Sequence, residues 1–467
     1  MENNNTFRKI GAVVLSNVIK LGSSILVSFI IPGILGLTGY GYYKVYILYM
    51  TYVGMFHFGF IDGIYLKYGG TDYSELNRPK FRMYTRFILV LELIIALIGI
   101  IITIVFIDGE KKFIFTILFI NMVANNITTY FQFISQITSR FKEYSIRTII
   151  LSITNILVIG YMYLFKSNSY REYLFLIVLM NYLLLLWYIN TYKDITFGKK
   201  EKTAENKNEL IGLFKLGIPL LLANLISTLV LTIDKQIVEI FFDVDTFGIY
   251  SFAYSMLSMI TVVVSAVGVV LYPTLKKADI NKVTENYSIL NRVVIIIVML
   301  GLFGYFPLLW IIPKFLPDYI DSLPIFRIAL PGLMLSSSVS AIKHNYFKIT
   351  DNNKTYLIIG IFILLITLGL NLGSYFIFKE IKYITISSII GIFIWYIITE
   401  IYMVKNYKVK WKKNLLLIIF GMLLFYFLTS LSNYIISGSL YLLIIVAFIF
   451  ITSGNDIKSF IKSRKQL

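Results

Sequence analysis

Three lysines, Lys20, Lys44 and Lys235, stand inside otherwise apolar runs of this chain. A full charge at the centre of a membrane-crossing helix costs about 2.5 to 3.5 kcal/mol, so such residues face a bundle interior or a wet cavity. Asn17, Lys20, Ser24 and Ser28 recur at spacings of three or four, which puts them on one helical stripe. Asn224, Thr228, Thr232, Lys235 and Glu239 form a similar stripe, with Asp234 beside it. Cations on polar faces are chemistry for binding an anion. Each has a structural alternative: Lys20 pairs with a carbonyl or with Glu92, Asp234 pairs with Lys235 or a neighbouring helix, and Lys44 snorkels past Tyr40, Tyr42 and Tyr43.

The elements that must hold these residues follow from composition. The 467 residues are 58% hydrophobic and 16% aromatic, with only 15% charged, and the mean hydropathy is +0.78. That is too much apolar surface for one soluble core, and the reading is an all-α polytopic membrane protein. A hydrocarbon core about 30 Å thick needs roughly 20 apolar residues per helix. Runs of that length fall at approximately 10–31, 39–66, 83–107, 113–138, 146–165, 171–192, 211–236, 247–273, 290–312, 325–347, 355–378, 383–404, 414–431 and 434–452. The run after Arg8 and Lys9 continues to Pro32 without a small-residue cleavage site, so it is read as a retained first span rather than a signal peptide.

With the N-terminus inside, most of the 43 basic residues fall in the inner segments, which predicts both termini in the cytoplasm. The net charge of +18 is thereby spread over many separate inner loops facing lipid headgroups, which excludes nucleic acid as a partner. The absence of cysteine excludes disulfides and thiol catalysis, and two histidines, His57 and His344, leave little for a metal site. No loop is long enough for an extramembrane catalytic domain and no GxxxxGK[ST] loop occurs, so neither an enzyme nor an ATP-driven pump is expected.

The longest inner stretch, 193–210 (KDITFGKKEKTAENKNEL), separates two groups of six spans. The expected organisation is an N-lobe (1–192), this linker, a C-lobe (211–404), and an appended pair of spans with a basic tail (405–467). At an offset of 207, residues 14–46 align without gaps on 221–253. Asn17 matches Asn224, Gly41 matches Gly248 and Tyr43 matches Tyr250. An even number of spans per half gives both copies the same orientation, as in a two-lobed transporter of pseudo-symmetric halves.

Further polar faces accompany the lysines. Asn121, Asn125, Thr128, Gln132, Ser135 and Ser139 share one face of the fourth span, where amides either bind sugar hydroxyls or cross-link helices. Ser251, Ser255, Ser258 and Ser265 line the eighth. Arg327, near the outer end of a tenth span kinked by Pro324 and Pro331, is either a headgroup anchor or a cavity cation; Lys343 and His344, at its inner end, are expected at the interface. Glu92 is the carboxylate expected deep in the bilayer, with Asp62 and Glu400 near inner ends. Read as one helix, the second span puts Lys44, Leu48, Thr51, Met55, Phe58 and Asp62 on one face and His57 on another, its aromatic residues forming an interfacial belt and a stacking surface for sugar rings.

The segments LTGYGYYKVY after the first span and IDKQIVEIFFDVDTFGIYSFAYSM (233–256), together with the 6 + 6 + 2 arrangement, resemble the Wzx-like polysaccharide flippases. These sit in the superfamily that also holds the lipid II flippases and the MATE multidrug exporters. The resemblance implies export of an undecaprenyl-pyrophosphate-linked oligosaccharide from the inner to the outer leaflet of a bacterial cytoplasmic membrane by alternating access. Glycosyltransferases and a polysaccharide polymerase would be its neighbours in the process. It implies that Lys20, Lys44 and Lys235, the last paired in the motif with Asp234, line the cargo path; the polar stripes add Arg327, Asn17, Ser24, Asn121, Asn125, Gln132, Asn224, Thr228 and Ser251 as candidates. No cofactor is implied beyond H⁺ or Na⁺, for which Asp62, Glu92, Asp234 and Glu239 are the candidate carriers. Other members of the superfamily supply the alternatives, cation-coupled drug export and lipid II flipping; a scramblase or a non-transporting assembly partner is a reading of another class.

Overall fold

The computed structural model describes residues 2–203, 206–276, 280–350 and 352–463, with side chains described outside 2–15, 17, 265–285 and 453–463. No strand occurs among the described residues, and thirteen of their helices are long and apolar enough to cross a membrane. The first of these thirteen, Val18–His57, holds the first expected crossing and most of the second, which run into one another. The chain divides into two compact units, Met1–Leu225 and Ile226–Leu467, so the division falls within a helix rather than in the stretch 193–210.

The first unit contains α1 (Glu2–Met50), α2 (Phe60–Tyr68), α3 (Arg78–Phe106), α4 (Glu110–Ile137), α5 (Phe141–Leu164), α6 (Tyr170–Thr191), the short α7 (Lys193–Thr196) and the first part of α8 (Lys207–Val230). Gly36 interrupts α1 with φ 66° and ψ 178°, a conformation open to a residue without a Cβ. The second crossing is not one helix. After Met50 the chain passes through a 3₁₀ turn, Val53–His57, and left-handed residues Phe58 and Gly59 before α2 begins. The face expected through Lys44, Phe58 and Asp62 is therefore broken.

Glycines explain how α2 meets α8. A Cβ on Gly217 would lie 1.9 Å from the Gly59 carbonyl oxygen, and one on Gly63 would lie 2.1 Å from that of Leu213, so the two backbones touch. At the same end Glu209 receives Lys67 at 2.7 Å, Lys80 at 2.9 Å and the Tyr84 hydroxyl at 2.6 Å. Arg82 and Arg86 donate to the carbonyls of Asp194 and Gly198, which fixes the start of the connecting stretch to α3. Outward faces are apolar, with Leu97 61% and Val105 65% exposed, as lipid contact requires.

The second unit continues from α8 through α9 (Ile233–Phe241), α10 (Val244–Lys276), α11 (Ile280–Gly301), α12 (Tyr305–Phe315), α13 (Ser322–Ala329), α14 (Leu333–Ser337), α15 (His344–Ile349), α16 (Asn353–Phe378), α17 (Ile381–Tyr407), α18 (Lys412–Leu428) and α19 (Tyr434–Ser463). The stripe expected along the seventh span is interrupted by a turn at Leu231–Thr232. Asp243 then starts α10, accepting from the Thr246 backbone N–H at 2.9 Å and the Thr246 hydroxyl at 2.8 Å. At the repeat offset of 207 Asp243 corresponds to Gly36, so the two copies break at equivalent positions. The tenth crossing is built from α13, α14 and α15, joined by the 3₁₀ turn Leu330–Gly332 and a π-helical turn at Ser338–Lys343.

Candidate functional site

In the first unit, Lys20 is exposed on α1 while Ser24 and Ser28 on the same stripe are half-buried; the side chain of Asn17 lies outside the described residues. α1 packs chiefly on α5, and the Ser23 hydroxyl donates to the Ser152 carbonyl at 3.1 Å. Lys20 feels the charge of Arg147 on α5. Arg147 was not apparent from sequence, where it counts among the loop charges before the fifth span. The structure puts it in the second turn of α5, where its guanidinium donates to Gln132 of α4. Its Nε is buried and lacks a hydrogen-bond partner among the described residues. Lys20 does not reach Glu92 in an ion pair.

Glu92 is fully buried on α3, and both its carboxylate oxygens accept from the Asn126 amide at 3.0 Å. Asn126 also donates to the Val53 carbonyl at 3.1 Å, which ties the 3₁₀ turn to this carboxylate. Asn126 was hidden in the sequence by its neighbour Asn125, which occupies the expected polar face and is half-buried there with Gln132. Asn121 is buried, donating to the Tyr46 hydroxyl at 2.7 Å and accepting from Asn181 at 3.0 Å, so it cross-links helices.

Asp62 is buried, and the turn brings His57 to it, Nδ1 to Oδ2, at 3.7 Å. The Gly59 N–H donates to His57 Nδ1 at 3.2 Å, which makes that nitrogen an acceptor and the imidazole neutral. Among the described residues Asp62 Oδ2 has no hydrogen-bond partner. The separation of His57 from Asp62 expected from a continuous helix is thus corrected by the break at residues 51–59. Lys44 is half-buried, its ammonium 5.1 Å from the Tyr40 ring centroid and 5.2 Å from that of Tyr43. Asn224, at the end of this unit, is exposed on α8.

In the second unit Asp234 is buried at the start of α9. It accepts from the backbone N–H of Lys235 at 2.8 Å, from the Tyr250 hydroxyl at 2.8 Å and from the Tyr254 hydroxyl. Those tyrosines lie a turn apart on α10, and Tyr250 is the repeat partner of Tyr43. The Lys235 ammonium sits 4.6 Å from the Tyr254 ring centroid rather than on the Asp234 carboxylate. Thr228 is half-buried, and Glu239 and Ser251 are buried. Arg327 donates to the Thr429 hydroxyl at 2.9 Å and the Tyr426 carbonyl at 3.2 Å, at the C-terminus of α18. There it satisfies a helix end and opposes its dipole, so its contacts are with the appended pair of spans.

Lys343 and Glu400, expected near the inner surface, are instead fully enclosed and paired at 2.8 Å. The Lys343 ammonium also donates to the Tyr396 carbonyl at 2.8 Å, and the Tyr287 hydroxyl donates to Glu400 at 2.9 Å. The π-turn Ser338–Lys343 carries the lysine, and Ser338 donates to Asn291 at 2.6 Å. No sequence pattern links these residues, which come from three separate helical segments: α11, the π-turn and α17.

An inward closed conformation of the lipid II flippase MurJ shares this fold at a TM-score of 0.71 and 14% identity, covering 95% of this chain and 99% of that one. An inward-facing multidrug resistance MATE family transporter of the MOP superfamily matches at 0.59 and 14% identity, covering 84% and 98%. A MOP superfamily transporter from Pyrococcus furiosus Vc1, described by the reverse polarity of its binding pocket, matches at 0.56 and 13%, covering 86% and 95%. No curated protein matches by sequence. The family profile described as polysaccharide biosynthesis protein matches residues 6–279, more than half of the chain, and this chain belongs to that family.

Proposed function

We propose that this protein is a flippase carrying an undecaprenyl-pyrophosphate-linked oligosaccharide, a repeat unit of a cell-surface polysaccharide, from the inner to the outer leaflet by alternating access. The observation that carries the reading is the state of the span-borne cations: neither Lys20 nor Lys235 forms an ion pair with a carboxylate among the described residues. Ammonium groups in the spans without a carboxylate in ion-pair contact favour an anionic cargo and repel a cationic drug. Family membership supports a polysaccharide precursor as that cargo. The cargo crosses without covalent change, so the protein is a transporter and not an enzyme, and its location is a bacterial cytoplasmic membrane with both termini inside. Glycosyltransferases supply the cargo and a polymerase consumes it. Glu92 and Asp62, buried carboxylates without a cationic side chain in hydrogen-bond contact, are the proposed carriers of H⁺ or Na⁺ where a gradient drives the cycle.

A second reading, lipid II flipping, is favoured by the extent of the fold likeness to MurJ. Proteoliposomes separate the readings. Translocation of a fluorescent lipid-linked oligosaccharide, in preference to lipid II and to a cationic dye, is the expected result. Transport of the dye alone overturns the proposal.

A further inference from the structure

The first unit carries a groove between α3 and α8. Its volume is about 320 Å³, and Phe87, Thr203, Lys207, Leu210, Ile211 and Phe214 line it. That size is at the lower end of small-ligand sites, about 300–1,000 Å³. Polar and apolar residues are sorted along its length. Thr203 and Lys207 precede the seventh expected span, and Phe214 lies seven residues past Lys207, about 10 Å farther along α8. Phe87 approaches from α3, its ring centroid 6.1 Å from that of Phe214 and 5.0 Å from that of Phe60 on α2. The groove thus straddles the boundary between headgroups and hydrocarbon, and Ile211, 40% exposed, opens it to the lipid side.

Charge at the polar end has one sign. Lys207 is exposed, and among the described residues it forms no ion pair. Glu209, in the same turn of α8, is taken by Lys67 at 2.7 Å and Lys80 at 2.9 Å, two cations on one carboxylate. Arg86, next to Phe87, donates to the Gly198 carbonyl at 2.8 Å, a contact that leaves its charge in place. Lys199, Lys200 and Lys202 are exposed on the stretch that leads to Thr203.

We infer that this groove is a site for one anionic phospholipid of the inner leaflet, with its phosphate on Lys207 and the Thr203 hydroxyl and one acyl chain along Leu210, Ile211 and Phe214. A basic rim over an apolar floor matches a phosphate ester over a hydrocarbon chain, and basic pockets between crossings on the cytoplasmic side suit such headgroups. α8 already meets α2 backbone to backbone at Gly217 and Gly59, and the lipid chain adds contact between α8 and α3. The lipid is thus an effector of the helix that leads out of the first unit. None of the residues proposed for the cargo path lines the groove. The inference uses the expected inner position of 193–210 and is independent of what the protein transports.

Native mass spectrometry of the full-length protein in detergent, with dioleoyl phosphatidylglycerol and dioleoyl phosphatidylcholine in competition, tests the site. The first lipid bound is expected to be phosphatidylglycerol with about five-fold preference, the discrimination that one basic residue provides at an anionic headgroup. Lys207→Gln brings the preference to within about two-fold, whereas Lys215→Gln, at an exposed lysine farther along α8 and outside the groove, leaves it unchanged. Ile211→Trp fills the groove and weakens binding of both lipids by about ten-fold, the loss of roughly two buried methylenes. Lys207 and Ile211 are both exposed, so these variants keep the fold, and thermal unfolding without added lipid is expected to match that of the unsubstituted protein. Glycerol phosphate, the headgroup chemistry without chains, does not compete at equal concentration. Equal binding of the two phospholipids, a preference that survives Lys207→Gln, binding indifferent to Ile211→Trp, or competition by glycerol phosphate each overturns the site. Displacement of phosphatidylglycerol by an equal concentration of polyprenyl phosphate gives the groove to another lipid and overturns it as well.

Discussion

Glu92 shows how much one buried carboxylate constrains. It is enclosed on α3 with a single amide as its hydrogen-bonding partner among the described residues, and an ionised carboxylate in that setting is stabilised far less than one facing an ammonium. Occupation by a proton or a sodium ion relieves that cost, so Glu92→Gln, which keeps the shape and the contact with Asn126, is expected to fold normally. Its translocation should lose dependence on an imposed H⁺ or Na⁺ gradient, measured in proteoliposomes; retained dependence assigns coupling elsewhere. Asn121 is the contrasting case, since its amide is consumed by Tyr46 and Asn181. Asn121→Leu leaves Tyr46 and Asn181 without this partner, and a loss of about 1–3 kcal/mol is expected in thermal unfolding. Residue types made Lys20 and Glu92 visible in the sequence, because charge in an apolar run is conspicuous. Arg147 was not visible, because it adjoins loop charges and only tertiary packing shows which way it faces.

Breaks in the helices decided what could be foreseen at the scale of elements. Hydrophobic length located the crossings, but it carries no information on a left-handed residue such as Phe58, and so the contact of His57 with Asp62 could not be read from helical spacing. The π-turn at Ser338–Lys343 is a similar case. It inserts a residue into the ladder and delivers Lys343 onto Glu400 inside the second unit. Glu400→Gln removes the counter-charge of an enclosed ammonium, and a loss of about 3–5 kcal/mol in stability is expected, whereas the double change Lys343→Met, Glu400→Leu recovers most of it. Thermal unfolding in detergent distinguishes these, and equal damage by both would show the charge pair to be irrelevant.

Asp243 tests the start of α10. The Thr246 backbone N–H, with the Thr246 hydroxyl, holds the Asp243 carboxyl below the usual range. A depressed carboxyl stabilises the fold when pH is above its unfolded value, near 3.9, and the stabilisation is lost as pH falls through the lower native value. Asp243→Ala should cost about 1 kcal/mol at neutral pH, and the gap to the unsubstituted protein should close as pH falls through the lowered native value. A gap that persists in acid would mean that the side chain acts through something other than its charge.

At the scale of the whole molecule, the helical class, the family and the internal repeat were legible because they rest on periodic hydrophobicity and on matched positions. The repeat offset of 207 linked two short patterns, and the structure adds that both copies break at the corresponding positions Gly36 and Asp243 and bury the corresponding tyrosines Tyr43 and Tyr250. The extent of each unit was not legible, since α8 is one apolar run in sequence and the division at Leu225 depends on which neighbours each half packs against. Orientation across the bilayer rests on the placement of basic residues alone. The chain lacks cysteine, which makes it a ready background for single-cysteine labelling. Asp108 and Asp318 are exposed in loops expected outside, and Lys199 and Lys410 are exposed in segments expected inside. A membrane-impermeant maleimide added to intact spheroplasts should label Asp108→Cys and Asp318→Cys, one in each unit. Lys199→Cys and Lys410→Cys should react only after permeabilisation. The reverse pattern would place both termini outside and overturn the orientation read from the basic residues.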